Sequence, residues 1–283
     1  LKSCSTLSLD PRCSALPYQE HLVNIVKGAT LVVDLLGVLP DVKLKDILLN
    51  PYHSIVKPDS DFEVDHLAFV QPYLDLALAQ RDAMMRLVKA FQKLGLIVYV
   101  RRCRAKIGIF TVGKKDGNLR LVFDCRVSNA LHQAPTKARL ASPSAFSNLR
   151  LDDQTLDAGS HSRPVDIHCG AIDLVDCFYQ FRYLGLASFF CFDITVSARE
   201  VGVAQAWNDV EQVFEDVSPD ERLFPALCTL PMGWRWSLVA AQEVLVDAML
   251  VAVYRVRAAG NSDEEDDAAW QVLVDGRVAP KLR

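Results

Sequence analysis

The chain has 283 residues, 51% of them hydrophobic and 23% charged, with a formal net charge of -4. These proportions suit a globular protein with its own hydrophobic core and exclude a disordered or collagen-like chain. The acidic balance argues against a simple nucleic-acid-binding module, and no apolar stretch reaches the ~20 residues that span a bilayer, so no membrane partner is expected.

Residues 1–75 hold short apolar runs interrupted by Pro40, Pro51, Pro58 and Pro72, and they carry few signals. Residues 74–94 read as one helix. Leu76, Ala77, Ala83, Met84, Leu87, Val88, Phe91 and Leu94 recur at helical spacing, Gln80 interrupts them, and Gly95 is placed to end the helix. The period then changes. Residues 96–100, 107–112 and 119–123 are rich in branched and aromatic side chains and read as strands. The last two flank Asp116-Gly117, a hairpin signal. Residues 132–165, with Pro135, Pro143, Pro164 and many Ser and Asp, read mostly as loop. Residues 169–176 read as a buried strand ending in acid, and 189–196 and 224–230 as further strands. Residues 237–257 read as a helix with Ser237 at its N-cap. The acidic run from Asp263 to Asp267 reads as a solvated loop. Helices and strands mix without regular alternation, which predicts an α+β fold.

Cys4, Cys13, Cys103, Cys125, Cys169, Cys177, Cys191 and Cys228 are scattered, with no C-x-x-C pair and no Cys/His metal spacing. They read as thiols of an intracellular, reducing compartment. The charge is distributed unevenly. Arg101, Arg102, Arg104, Lys106, Lys114, Lys115, Arg120 and Arg126 face only Asp116 and Asp124, a local net of +6, so the remainder carries -10. A basic hairpin on an acidic body suits the holding of phosphates, although a solvated charged face has the same composition. Asp124 and Arg126 could equally pair with each other to brace the hairpin. Asp173 and Asp176 close the apolar run that starts at Ala171. An Asp at a rigid strand end can hold a hard cation such as Mg²⁺, which phosphoryl transfer uses; a surface or capping role also fits two such acids.

Three segments, in order, resemble the reverse transcriptases, the RNA-directed DNA polymerases of retroelements. Residues 109–129, with Lys114, Lys115, Asp116-Gly117, Arg120 and Arg126, resemble the fingers hairpin. Ala171-Ile172-Asp173-Leu174-Val175-Asp176-Cys177-Phe178-Tyr179-Gln180-Phe181 resembles the first palm motif. Leu230-Pro231-Met232-Gly233-Trp234-Arg235-Trp236-Ser237 is similar to the later palm segment. The resemblance implies a right-hand polymerase of fingers and palm. It places a mostly helical N-terminal extension at 1–95, fingers at 96–168, the first palm motif at 169–187, a return of the fingers at 188–230 and an incomplete palm at 231–283.

It also implies roles. Asp173 is the catalytic metal-binding acid, with the Leu174 carbonyl as a further ligand for Mg²⁺ or Mn²⁺. Lys114 and Arg120 grip the phosphates of a dNTP, and Asp176 lies near its triphosphate. Phe178 is the steric gate that excludes a ribose 2′-hydroxyl. Met232 and Gly233 form a turn against the nascent base pair, and Ser237 and Arg235 support the template. Trp234 and Trp236 read as packing residues in preference to base-stackers. The implied partners are dNTP and an RNA or DNA template with its primer. The family's third palm motif, aromatic-x-Asp-Asp, is not found; Val272-Leu273-Val274-Asp275-Gly276 is the nearest sequence. The chain starts at Leu1 and stops at Arg283, so the reading expects a segment that is inactive by itself. The alternative is a catalytically inactive nucleic-acid-binding remnant of such a polymerase.

Overall fold

The computed structural model describes residues 15–25, 32–58, 70–135, 175–259, 273–274 and 277–278. The chain divides into two units, Leu1–Pro135 with Val175–Ala241 and Thr136–Leu174 with Gln242–Arg283. The first unit opens with β1 (Ala15–Leu16), a 3₁₀ turn at Glu20–Leu22, β2 (Val33–Asp34), α1 (Leu35–Val38), α2 (Val42–Leu49) and α3 (Pro51–Ser54). Asp34 and Asp41 accept hydrogen bonds from the Gly37 and Leu44 amides and so cap α1 and α2. Then follow α4 (Arg81–Lys93), β3 (Ile97–Val100), β4 (Gly108–Gly113), β5 (Leu119–Asp124) and α5 (Arg126–Leu131). After the 3₁₀ turn Cys177–Gln180 come β6 (Phe181–Arg182), β7 (Val196–Ser197), α6 (Ala198–Val201), β8 (Gln205–Asn208), β9 (Val213–Asp216), β10 (Arg222–Leu227) and α7 (Arg235–Ala259). In the second unit, the described residues are the part of α7 after Ala241 and the pair β11 (Leu273–Val274) and β12 (Arg277–Val278).

The described strands form small sheets: β1-β4-β5 and β3-β10-β7, both antiparallel, the antiparallel pairs β8-β9 and β11-β12, and the parallel pair β2-β6. This is a mixed α+β architecture. Residues 1–95 contribute to it directly. β1 extends the β4-β5 hairpin through Ala15↔Val112 and Leu16↔Thr111, and β2 lies beside β6 through Val33↔Phe181. The core lies between α4 and these sheets. Met84, Leu87, Val88 and Phe91 of α4 and all four residues of β3 are buried. The ring of Phe91 meets Phe123, Tyr179 and Phe192 edge-on at 6.2, 6.1 and 5.5 Å, the geometry that aromatic quadrupoles favour.

Several elements differ from their expected bounds. The helix expected over 74–94 starts at Arg81, with Gln80 as its N-cap residue. Asp75, 5% exposed, takes the Ala77 amide on its carboxylate and those of Leu78 and Ala79 on its carbonyl, and it also binds the Tyr18 amide. These bonds hold 75–79 as a turn, and Leu76 is left 85% exposed. Gly95, at φ +69°, ends the helix as expected.

Residues 189–196 are not one strand. A 3₁₀ turn covers Ala187–Phe189, Cys191 bridges Lys106 and Ala226, and only Val196–Ser197 forms β7. Pro225 of β10 has no amide to donate, so the ladder opposite it is broken and Phe192 uses only the Pro225 carbonyl. Helix α7 starts at Arg235, which puts Ser237 inside the first turn. Most of the loop expected over 132–165, the strand run up to Leu174 and the acidic run from Asp263 lie outside the described residues. Among the described residues no helix is long and apolar enough to cross a membrane. Cys103, Cys125, Cys177, Cys191 and Cys228 are in no disulfide.

Candidate functional site

The basic hairpin is β4 and β5 paired from Gly108↔Asp124 to Gly113↔Leu119. Its turn is closed by Lys114 N–H to Asn118 O at 2.8 Å and Gly117 N–H to Lys114 O at 3.2 Å. Alternation along β5 buries Leu119, Leu121 and Phe123 and turns Arg120 to solvent.

The eight cations of this region fall into two groups. At the root, Arg101 binds Glu215, Glu221 and the Asp216 carbonyl. The Arg104 guanidinium lies 5.0 Å from the Tyr52 ring centre, Lys106 pairs with Asp193 at 2.5 Å, and Arg126 embraces Asp124 at 2.6–2.9 Å. The brace between Asp124 and Arg126 is therefore formed. It holds the Asp124 carboxyl below its usual range through hydrogen bonds from Arg126 and the Tyr73 amide, against the opposing effect of burial. Arg102 and the tip residues Lys114, Lys115 and Arg120 have no ion pair among the described residues.

Asp176 adopts the left-handed conformation, φ 54° and ψ 33°, which is uncommon for a residue with a side chain and clusters at functional turns. Its carbonyl accepts the Tyr179 amide at 3.0 Å, and Gln180 Nε2 donates to the Val175 carbonyl. The turn packs the Tyr179 ring against Phe91 and Phe123, and both Phe178 and Tyr179 are half-buried. Immediately downstream, Tyr183 N–H donates to Cys228 O and Leu230 N–H to Phe181 O. The end of the first motif therefore lies along the start of the later one.

That later segment is a turn fixed from several sides. Gly233 sits at φ +154°, and a Cβ there would fall 2.2 Å from the Phe123 carbonyl oxygen. The Asn129 side chain donates to Gly233 O at 2.7 Å and accepts from Arg235 N–H at 3.0 Å. Ser237 Oγ donates to Pro231 O at 2.8 Å, so its hydroxyl is engaged within the turn. Trp234, 2% exposed, stacks on Tyr183 with an interplanar angle of 11° and donates from Nε1 to His132 Nδ1. Trp236 donates to the Gln133 carbonyl. Both tryptophans are packing residues. Burial drives the His132 imidazole down to about pKa 3, assisted by Lys57, so it is neutral near pH 7.

Phe123 is the meeting point. Its carbonyl underlies Gly233, its ring touches Tyr179 beside Phe178, and its strand carries Arg120. Met232 is half-buried in the same turn. The exposed Arg235 lines an open cavity of about 460 Å³ with Lys57, Arg126 and Asn129. Asp173 and Leu174, the expected metal ligands, lie outside the described residues, and no cluster that could hold a metal ion occurs among the described ones. Asn129, Lys57 and His132 join this region without having been singled out by their sequence. Asn129 stood inside the recognised hairpin segment, but its bonds to a turn over a hundred positions away left no local signal. The chain matches no protein-family model and no curated protein.

Proposed function

We propose that this chain is the fingers and palm portion of a reverse-transcriptase-like polymerase, which holds a primer–template and an incoming dNTP for RNA-directed DNA synthesis. The convergence at Phe123 supports this reading best: the hairpin, the Asp176 turn and the Gly233 turn, far apart in sequence, share one residue. Lys114 and Arg120 contact the nucleotide phosphates, Arg as a planar fork and Lys as a mobile point charge. Asp176 lies near the triphosphate. Phe178 presses on the sugar and excludes ribonucleotides. Met232 and Gly233 pack against the nascent pair, and Arg235 supports the template strand from a turn that the buried Ser237 braces through its bond to the Pro231 carbonyl. Asp173 and the Leu174 carbonyl would hold Mg²⁺ or Mn²⁺, which would supply charge stabilisation at the transferred phosphate.

The test is primer extension on an RNA template with Mg²⁺ and dNTPs, run beside a salt titration of primer–template binding. The chain by itself is expected to bind primer–template without incorporating; incorporation that Asp173→Ala abolishes, with ribonucleotide acceptance raised in Phe178→Ala, is the expected result once the chain is extended to carry an aromatic-x-Asp-Asp motif. Incorporation that survives Asp173→Ala overturns the metal assignment. Salt-sensitive binding without incorporation by the extended chain leaves a binding remnant of such a polymerase. Binding that ignores salt, or no binding, overturns the reading itself.

A further inference from the structure

We propose that Cys103 and Cys191 are a reactive thiol pair that hydrogen peroxide converts to an intramolecular disulfide at the root of the basic hairpin. The inference is independent of the polymerase reading. Cys103 packs against the buried cluster that contains Cys191, the two sulfurs interact electrostatically, and Cys191 Sγ–H donates to the Ser188 carbonyl at 3.3 Å. Their backbones are already tied. Arg104 and Ala105 donate to the Ser188 carbonyl at 2.8 and 3.2 Å, Cys191 N–H donates to Ala105 O at 3.1 Å, and Ile107 N–H donates to Cys191 O at 2.9 Å. The Ser188 carbonyl, which takes the Arg104 and Ala105 amides and the Cys191 thiol together, therefore holds the two cysteine-bearing segments side by side.

The two thiols are unequal in a useful way. Cys103 is half-buried and reachable, whereas Cys191 is fully buried. The Cys191 thiol, helped by the Lys106 ammonium, lowers the Cys103 pKa against burial and the nearby Asp193. Burial, the Cys103 sulfur and Asp209 raise that of Cys191. The thiolate is the form that peroxide oxidises, so the accessible partner reacts first. The other described thiols in the core are protected. Cys125 is buried and raised, and Cys228 is buried and pushed up to about 11.

The Cys103 thiolate attacks one peroxide oxygen, the O–O bond breaks, hydroxide leaves and the sulfur becomes a sulfenic acid. The Cys191 sulfur then attacks the Cys103 sulfur. The S–S bond forms, the S–O bond breaks, and the Cys191 proton leaves with the hydroxide as water. Two thiols and one peroxide give one disulfide and two waters.

The experiment treats the full chain with hydrogen peroxide, blocks the remaining thiols with N-ethylmaleimide, and maps non-reduced peptides by mass spectrometry. The expected product is a peptide pair linked through Cys103 and Cys191 that dithiothreitol separates. In Cys191→Ser the link is replaced by a Cys103 sulfenic acid trapped by dimedone. An unmodified Cys103, its over-oxidation with no link, or a link to another cysteine in the wild-type map overturns the proposal, whether or not the variant folds.

Discussion

The Gly233 turn and the tip of the basic hairpin both belong to the proposed nucleotide site, yet they are held in opposite ways. The turn is anchored by two bonds from Asn129, one from Ser237 and two from the tryptophan indoles, over an aromatic cluster of His132, Tyr183 and Phe190. The tip closes through its own backbone and a bond from the Asn118 amide to the Asp116 carboxylate, and its cations have no ion pair among the described residues. Anchoring side chains on rigid elements preorganises a surface, whereas unpaired Lys and Arg retain rotamer freedom to follow a charged ligand. The count of +6 in the sequence therefore overstates the charge available. Arg101, Arg104, Lys106 and Arg126 are used within the fold, and Arg102 and the tip supply the field.

This contrast can be broken in graded steps. Trp234→Ala removes a buried ring and should cost about 3–5 kcal/mol of stability, measured by urea unfolding; an unchanged midpoint would show that the turn is not anchored there. Gly233→Ala forces a Cβ onto the Phe123 carbonyl at a backbone angle that L residues avoid, and should cost about 2–4 kcal/mol. Thermal unfolding of this variant beside Gly117→Ala at the tip reads the difference between the two regions directly. Asn129→Ala loses two hydrogen bonds and should cost about 1–2 kcal/mol.

The pH dependence follows from His132. Its folded pKa of about 3 lies below the value near 6.5 of an exposed imidazole, so the unfolded chain takes up the proton first. Its contribution is complete above about pH 6.5 and is lost as pH falls toward 3, with a slope of at most about 1.4 kcal/mol per pH unit. His132→Gln should flatten that slope in chemical unfolding followed across this range. The smallest stability effect belongs to Lys114→Ala with Arg120→Ala, within about 0.5 kcal/mol of wild type. The same pair should weaken nucleic-acid binding and reduce its salt slope by about 1 for each phosphate that is no longer neutralised. A large stability loss there would mean that the tip is structural after all.

Local signals in the sequence carried the hairpin, whose Asp116-Gly117 and flanking branched residues are sufficient to specify it. They also carried the C-terminal end of α4, through Gly95. The start of that helix was hidden, because Asp75 is recruited into a turn by Tyr18, a residue far upstream. The break in 189–196 was equally hidden, since it originates in Pro225 on the partner strand. β1 and β2 span two residues each, and only their long-range partners define them. Among the candidate site residues, Lys114, Arg120, Phe178 and Gly233 were legible through the resemblance. Asn129 and His132 act through tertiary bonds to a distant turn, which periodicity does not encode.

The pairing of β3 with β10 has a consequence for how the chain is made. Ile97-Val98-Tyr99-Val100 is buried along its whole length, and its hydrogen-bonded neighbour in the sheet begins at Arg222. During synthesis at about 5–20 residues per second, this apolar segment leaves the ribosome several seconds before its cover exists. A strand with high β-propensity and no charge is an aggregation hazard in that interval. Arg101 and Arg102, directly after it, stand where gatekeeper charges protect a nascent strand.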